Sequence, residues 1–389
     1  MKVTLDRKKF LEALKTAGRA LPSSERTMLP ILNFFRIEAS RDRGGLIIIA
    51  SDLGSYISCG VEAVIEEEGI ITQPAKMLLE VLDSIDEASV SMELSDPAQL
   101  RRLKLSLGRN EVNINFADPK DYPPLPPVNE NDAIMEVPCD EFRVALDHVY
   151  YMASKVQDRP VLSGVYFACD GKSITVAAAD GFRLGEYRLE LAEETENTFE
   201  IIVPRDSVEK LVKTLPVFGD TVRICCDAES KNLAFYGTDI ALVSAVIEGK
   251  YPDYRKMIPE SGGNTGLMEL SSLKETLSVA RSISGDTAIR IMMPGGEKST
   301  GSARLWQEQA SSQTDLFDIT EGQVDGTFTG SGEIGFAVNA KYLAETISNL
   351  KSYHNQVRIS VEKKSAPVLI DVPDCPEYRA LIMPLLVRE

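Results

Sequence analysis

The stretch KKFLEALKTA, residues 8–17, decides the fold, because its pattern returns twice more along the chain. Phe10, Leu14 and Ala17 fall at i, i+4 and i+7, which places them on one face of a helix. The same spacing recurs at Phe142, Leu146, Val149 and at Leu273, Leu277, Ala280, after steps of 132 and 131 residues. A second helical pattern trails each of these by 68, 66 and 70 residues. It reads Leu78, Leu82, Ile85 after QPAK, then Val208, Val212, Leu215 after VPRD, then Leu343, Ile347, Leu350 after VNAK. A period kept this closely over 389 residues is an internal repeat, and it sets the fold expectation ahead of any local propensity.

Between the helical patterns lie short runs rich in Val, Ile and Thr: GLIIIASD, ASVSME, SITVAAAD, TVRICCD and QVRISVE. Bounded by Gly, Asp and Asn turns, they predict antiparallel strands. The expected fold is therefore α+β, with three repeated modules of two helices packed on antiparallel sheets. Module boundaries are expected at residues 1–126, 127–254 and 255–389, with linkers near Pro123 to Asp132 and Pro252 to Gly263. Each module closes on a tyrosine and proline segment, around Tyr122, Tyr254 and Tyr378.

The third module diverges most. Asp52 and Asp180 mark one strand-to-turn position 128 residues apart, and no equivalent Asp-Gly follows in module three. In its place residues 295–332, rich in Ser, Gly, Gln and Thr and holding Trp306, predict a long hairpin excursion or a mobile loop with no assigned function. The tail YRALIMPLLVRE, residues 378–389, is apolar for a terminus. Pro384 cannot sit inside a paired strand, so the tail is expected to leave a sheet edge near Met383 as a strap; the plainer alternative is a core strand with an apolar end.

Composition narrows the function. The N-terminus carries charges where a signal peptide needs an apolar core, and no apolar run approaches the length of a membrane span, which predicts a cytoplasmic protein without membrane contact. Six scattered cysteines without a CxxC pair argue against a disulfide scaffold or a zinc cage. The two histidines, His148 and His354, lie outside any base or metal-ligand pattern, and His148 falls beside core positions of a helix. No nucleotide-loop, nucleophile-elbow or zincin motif occurs in its proper context, so neither a cofactor, nor a metal, nor catalysis is expected. Asp180 and Arg183 in AADGFRL form the one acid and partner pair open to a catalytic reading, set against ordinary turn chemistry.

A net charge of -17 opposes a conventional DNA-binding domain. The helices nevertheless lean basic: Arg7, Lys8, Lys9, Lys15 and Arg19 in the first, Arg205, Lys210 and Lys213 in the fourth, Lys341 and Lys351 in the sixth. Solvated helix faces explain any one of these; recurrence at equivalent positions points to a shared basic surface. An array of such modules has two unlike ends, and head-to-tail contact between them closes a ring if the curvature fits.

The chain resembles the bacterial DNA polymerase sliding clamp, the beta subunit of the replicative polymerase, over essentially its full length. The motifs that carry the likeness are RTMLPIL at Arg26, SDL at Ser51, DRPVLSGVYF at Asp158, AADGFRL at Ala178, VPR at Val203, YPDYRKMIP at Tyr251, IGFAVNAKYL at Ile334 and the LIMP of the tail. The resemblance implies a head-to-tail homodimer forming a six-domain ring around duplex DNA, held without sequence preference. It also implies partners, namely the replicative polymerase, clamp loader and repair proteins, which bind through short linear peptides in a hydrophobic groove. Carried over by motif, that groove comprises Leu162, Ala179, Gly181, Arg183, Leu184, Pro252, Lys256, Met257 and Tyr342, closed by Leu381, Ile382, Met383, Pro384 and Leu385. DNA contacts are implied at Arg26, Arg205, Lys213 and Lys351. The dimer contact is implied at Arg109, Val112 and Ile114 against Leu273 and Ile283. Two stretches depart from the family pattern: residues 295–332 are longer, and the tail ends LLVRE where a basic residue is expected sooner after Pro384. A non-replicative repeat scaffold that binds peptides without encircling DNA is the alternative from another class.

Overall fold

The computed structural model describes residues 1–24, 26–94, 102–124, 126, 133–156, 158–227, 231–259, 263–284, 286–307 and 320–385. Among the described residues six α-helices form where the spacing predicts them: α1 Arg7–Ala17, α2 Ala75–Ser84, α3 Cys139–Val149, α4 Arg205–Thr214, α5 Leu270–Ser284 and α6 Ala340–Leu350. Phe10, Leu14 and Ala17 are wholly buried, as are Phe142, Leu146, Val149 and Leu78, Leu82. In α4 the buried stripe runs through Val208 and Leu211, and on to Leu215 in the turn just past its end, rather than through Val212, the i+4 position. Asp6 caps α1 through Lys9 N, and Asn339 caps α6 through Lys341 N and Tyr342 N.

The chain folds into two compact units that do not follow the repeat period: Met1–Glu141 with Asp206–Val246, and Phe142–Arg205 with Ile247–Glu389. The cause is strand pairing across repeats. In the first unit strand Ser55–Glu62 of the first repeat pairs antiparallel with Ile240–Ala245 of the second, within an eight-stranded sheet; a separate five-stranded sheet ends on Asn110–Asn115. In the second unit Arg183–Glu190 pairs with Cys375–Ile382, within a twelve-stranded sheet. Every strand pair among the described residues is antiparallel, so the predicted class, α+β with antiparallel sheets, holds.

Residues 296–307 and 320–330 form the predicted hairpin, but it is no excursion. Strand Thr320–Gly330 pairs with Asn264–Glu269, and Gly296–Gln307 with Ala288–Met293, so the hairpin is the middle of the sheet. Residues 308–319 lie outside the described set. The tail also differs from expectation. Cys375–Ile382 is paired on both sides, with Arg183–Glu190 and with Val368–Val372, so the strap leaves the interior of a sheet and not an edge.

The first helix is less basic at its surface than its composition suggests. Arg7 is 6% exposed and spends its guanidinium on the carbonyls of Leu82 and Glu87 and on Asp86 Oδ1, closing the C-terminal end of α2. Lys9 pairs with Glu62, and Lys15 with Asp83. All six cysteines are free thiols, five of them buried. Among the described residues no cluster of His, Cys, Asp or Glu could hold a metal, and no helix is long and apolar enough to cross a membrane.

The two histidines meet in the core of the second unit. His148 Nδ1 bonds the Val144 carbonyl at 2.8 Å, its Nε2 lies 3.1 Å from His354 Nε2, and His354 Nδ1 lies 3.3 Å from Asp374 Oδ1. Burial first, and the neighbouring His354 second, pull the His148 pKa down to about 4. The unfolded chain takes up this proton near the ordinary value of 6.5, while the folded chain holds the ring neutral until about 4. Stability is therefore fully present above that range and falls as pH drops through it, by up to about 3 kcal/mol. Chemical denaturation of the wild type against His148→Gln should show the steeper acid loss in the wild type between these limits; parallel pH profiles would refute the assignment.

Candidate functional site

A concavity of about 270 Å³ opens in the second unit where the 183–190 and 375–382 strands run side by side. Its floor starts with strand Ser173–Ala179 and the turn that follows. Asp180 Oδ1 accepts from Phe182 N at 2.9 Å and Arg183 N at 3.0 Å, and Gly181 adopts a φ of 93° that a side chain would strain. The turn delivers Arg183 and Leu184 to the start of the next strand. Leu184 stands opposite Leu381, and both are buried in one apolar cluster with Leu162, Ala177, Ile202, Tyr251 and Tyr254.

Arg183 fixes this corner without offering its charge to the concavity. Its Nε bonds Asp180 Oδ2 at 3.1 Å, Nη1 bonds Glu345 Oε2 of α6 at 2.5 Å, and Nη2 bonds the Tyr151 carbonyl at 3.0 Å. Its plane also lies over the rings of Tyr342 and Tyr151, 4.5 and 5.4 Å from their centroids. With Asp180 committed to the turn and to Arg183, the pair serves as a structural brace joining a strand, a helix and a loop.

The far wall comes from the Tyr-Pro segment. Tyr251 stacks on Tyr166 at 5.0 Å, and the Tyr254 hydroxyl donates to Glu186 Oε2 at 2.5 Å. Burial holds both hydroxyls well above the usual tyrosine range, so they stay protonated. The tail supplies the last wall through Leu381 and Met383; Met383 N donates to the Phe182 carbonyl and, past Pro384, Leu385 N donates to the Ala337 carbonyl, each at 2.8 Å.

Of the residues expected here, Leu162, Ala179, Gly181, Arg183, Leu184, Pro252, Met257, Leu381 and Met383 line the concavity together. Ile382 does not, because neighbours on a strand face opposite sides of the sheet; it is 1% exposed and turned away from Leu381. Tyr342 stands behind the wall against Arg183, Lys256 points outward and pairs with Asp253, and Pro384 and Leu385 run on beyond the mouth. The sequence reading omitted Arg159, Tyr251 and Tyr254, although all three fall inside or beside the quoted motifs. Two other concavities, of about 290 and 420 Å³, are lined by residues of both charge signs, which sets this apolar slot apart.

The remaining expected residues are spread over the two units. Arg26 is exposed in the loop before Pro30; Lys213 is exposed at the end of α4 and pairs with Glu209. Arg205 lies 6.0 Å from the Tyr150 ring, and Lys351 follows α6. Arg109 is exposed at the turn into the 110–115 strand, Val112 is half-buried and Ile114 is 2% exposed. Leu273 is 1% exposed because it sits on the inner stripe of α5, so it faces its own core; the Ile283 side chain lies outside the described set.

These features define a class, a repeat scaffold whose modules are joined strand to strand and whose apolar slot suits a linear segment. Two family models match: DNA polymerase III beta subunit, N-terminal domain, over residues 1–126, and the central domain of the same subunit over residues 136–253. Beta sliding clamps from Staphylococcus epidermidis and Bacillus subtilis are 24% and 23% identical, each aligned over 99% of both chains. The solved DNA polymerase sliding clamp of Bacillus subtilis superposes with a TM-score of 0.87 at 21% identity, covering 100% of both chains, and the DNA polymerase III beta subunit of Thermotoga maritima with 0.84 at 19%, covering 100% of both. The chain belongs to the DNA polymerase III beta-subunit family, the bacterial sliding clamps.

Replacing Arg183 by Met would leave Asp180 and Glu345 without their shared partner in a mostly buried corner. Chemical denaturation should show a loss of about 3 kcal/mol; a loss below about 1 kcal/mol would mean that the brace is not what holds the turn.

Proposed function

We propose that two copies of this chain close head to tail into a ring of six modules, 1–126, 127–254 and 255–389 from each, that encircles duplex DNA and tethers the polymerase to it. The observation that carries this reading is the unfinished pairing pattern. In each of the first two repeats the third strand after the first helix pairs with the last strand of the next repeat: 55–62 with 240–245, and 183–190 with 375–382. Two strands are left over by this rule, 320–330 at one end of the chain and 110–115 at the other. Strand 110–115 is an edge, and Thr320 to Asp325 lack a second strand partner among the described residues, since the pairing with 264–269 stops at Gly326. A second copy satisfies both edges by the same rule, and repeating the contact closes the ring. Residues Arg109, Val112 and Ile114 belong to this joint, with α5 and its exposed Val279 beside it.

Holding DNA by topology removes the need for tight phosphate contacts, so a charge of -17 is compatible with a modestly basic bore carrying Arg26, Arg205, Lys213 and Lys351. The apolar groove takes short linear segments of the polymerase and other partners, with Met257 and Met383 as adaptable walls. Function of this kind is mechanical, carried out in the cytoplasm without catalysis or a cofactor.

Asn113→Pro should break the strand joint: sedimentation is expected to give a folded monomer in place of the dimer, and an unchanged dimer would refute the pairing. Deleting residues 383–389 should abolish binding of the polymerase and leave the dimer intact. If the dimer or the fold is lost instead, the tail is a core element and not a groove wall.

A further inference from the structure

In two of the three repeats the strand-to-strand turn at this position takes three residues, 52–54 and 180–182. In the third it takes twelve, 308–319, reading EQASSQTDLFDI. Gln307 and Thr320 face each other in the ladder, so this connection leaves and returns at one point of the sheet. Its sequence places Leu316, Phe317 and Ile319 among Asp315 and Asp318, an apolar cluster that hairpin geometry does not require.

The groove has the matching chemistry. Its walls are Leu162, Leu184, Met257, Leu381 and Met383, which suit an aliphatic and an aromatic side chain. Arg183 is consumed by Asp180 and Glu345, and Lys256 by Asp253, whereas Arg159 lines the slot with no ion-pair partner among the described residues. An apolar pair flanked by a carboxylate answers both features.

We propose that the 308–319 connection of one molecule is a ligand for the groove of another, so that rings associate through their own chain; this rests on the peptide-groove reading above. Register excludes the same groove. Across the sheet, Leu184 aligns with Leu381, Leu369, Ser360, Thr265 and Thr329 in turn. The groove row thus meets the 320–330 strand at Thr329, four ladder steps of about 4.8 Å beyond Leu381. Thr320 lies a further nine residues along, about 30 Å. A twelve-residue connection anchored at both ends reaches out only about 20 Å. The partner is therefore a second copy, and the same groove then cannot hold polymerase, which makes ring association and polymerase binding mutually exclusive.

The test uses the full-length protein and a fluorescent synthetic peptide of residues 308–319. Anisotropy should show saturable binding, weakened at least about tenfold by a peptide carrying Leu316→Ala and Phe317→Ala, and also weakened by Arg159→Glu in the protein, a surface change that leaves the fold intact. Sedimentation of the whole chain at rising concentration should show species larger than the dimer that Phe317→Ala removes. If the peptide fails to bind while the polymerase binds, or binds the Arg159→Glu protein unchanged, or if Phe317→Ala sediments as the wild type does, the proposal falls and the groove reading stands. If neither peptide nor polymerase binds, both fall.

Discussion

The arrangement depends on strand pairing between successive repeats. A sheet edge left open exposes unpaired N–H and C=O groups, and a repeat of two helices and a handful of strands leaves such an edge at either end. Pairing Arg183–Glu190 with Cys375–Ile382 closes one of them with backbone hydrogen bonds, and the same act places Leu184 against Leu381. The joint that satisfies the backbone therefore also builds the apolar slot. The equivalent joint of the first unit is finished differently: Ser55 stands where Arg183 does, and Lys210 of α4 reaches across to Asp52 and Ser55. There the helix supplies the cation and the turn the acid, while in the second unit α6 supplies Glu345 and the strand supplies Arg183.

Repeat copies thus keep a backbone joint and vary the side chains on it. Leu53 takes the left-handed conformation that Gly181 takes, with a φ of 75°, and Tyr56 holds the place of Leu184. A smaller side chain and a glycine in the second unit leave room, and a proline-broken tail covers it instead of continuing the ladder. In the proposed ring, closure through one more copy of the joint costs no new invention, and it would let a chain of strongly acidic composition stay on DNA by containment instead of affinity.

Much of this was legible in the sequence, for a definite reason. Helical spacing is a local property, so Phe10, Leu14, Ala17 and their two echoes fixed the repeat without knowledge of contacts. Asp180-Gly181 announced its turn in the same way. What stayed hidden depends on pairing between residues far apart. Arg7 reads as one more surface cation until Leu82, Glu87 and Asp86 are brought around it. Leu381 and Ile382 look alike in sequence, and only the strand's alternation sends one to the groove and the other to the core. Arg159 lies within a recognised motif, yet nothing local marks it as a cation of the slot without an ion-pair partner among the described residues. The 296–330 hairpin was visible as composition, but its place in mid-sheet follows only from its register with Asn264–Glu269.

Encirclement is a topological property, and one measurement reaches it directly: retention of the labelled, loaded protein on circular DNA, followed after the circle is cut once. A closed ring should persist on the intact circle at a salt concentration that strips ordinary phosphate contacts, and should run off soon after linearisation. Loss from both forms at the same rate, or retention on the cut DNA, would contradict encirclement.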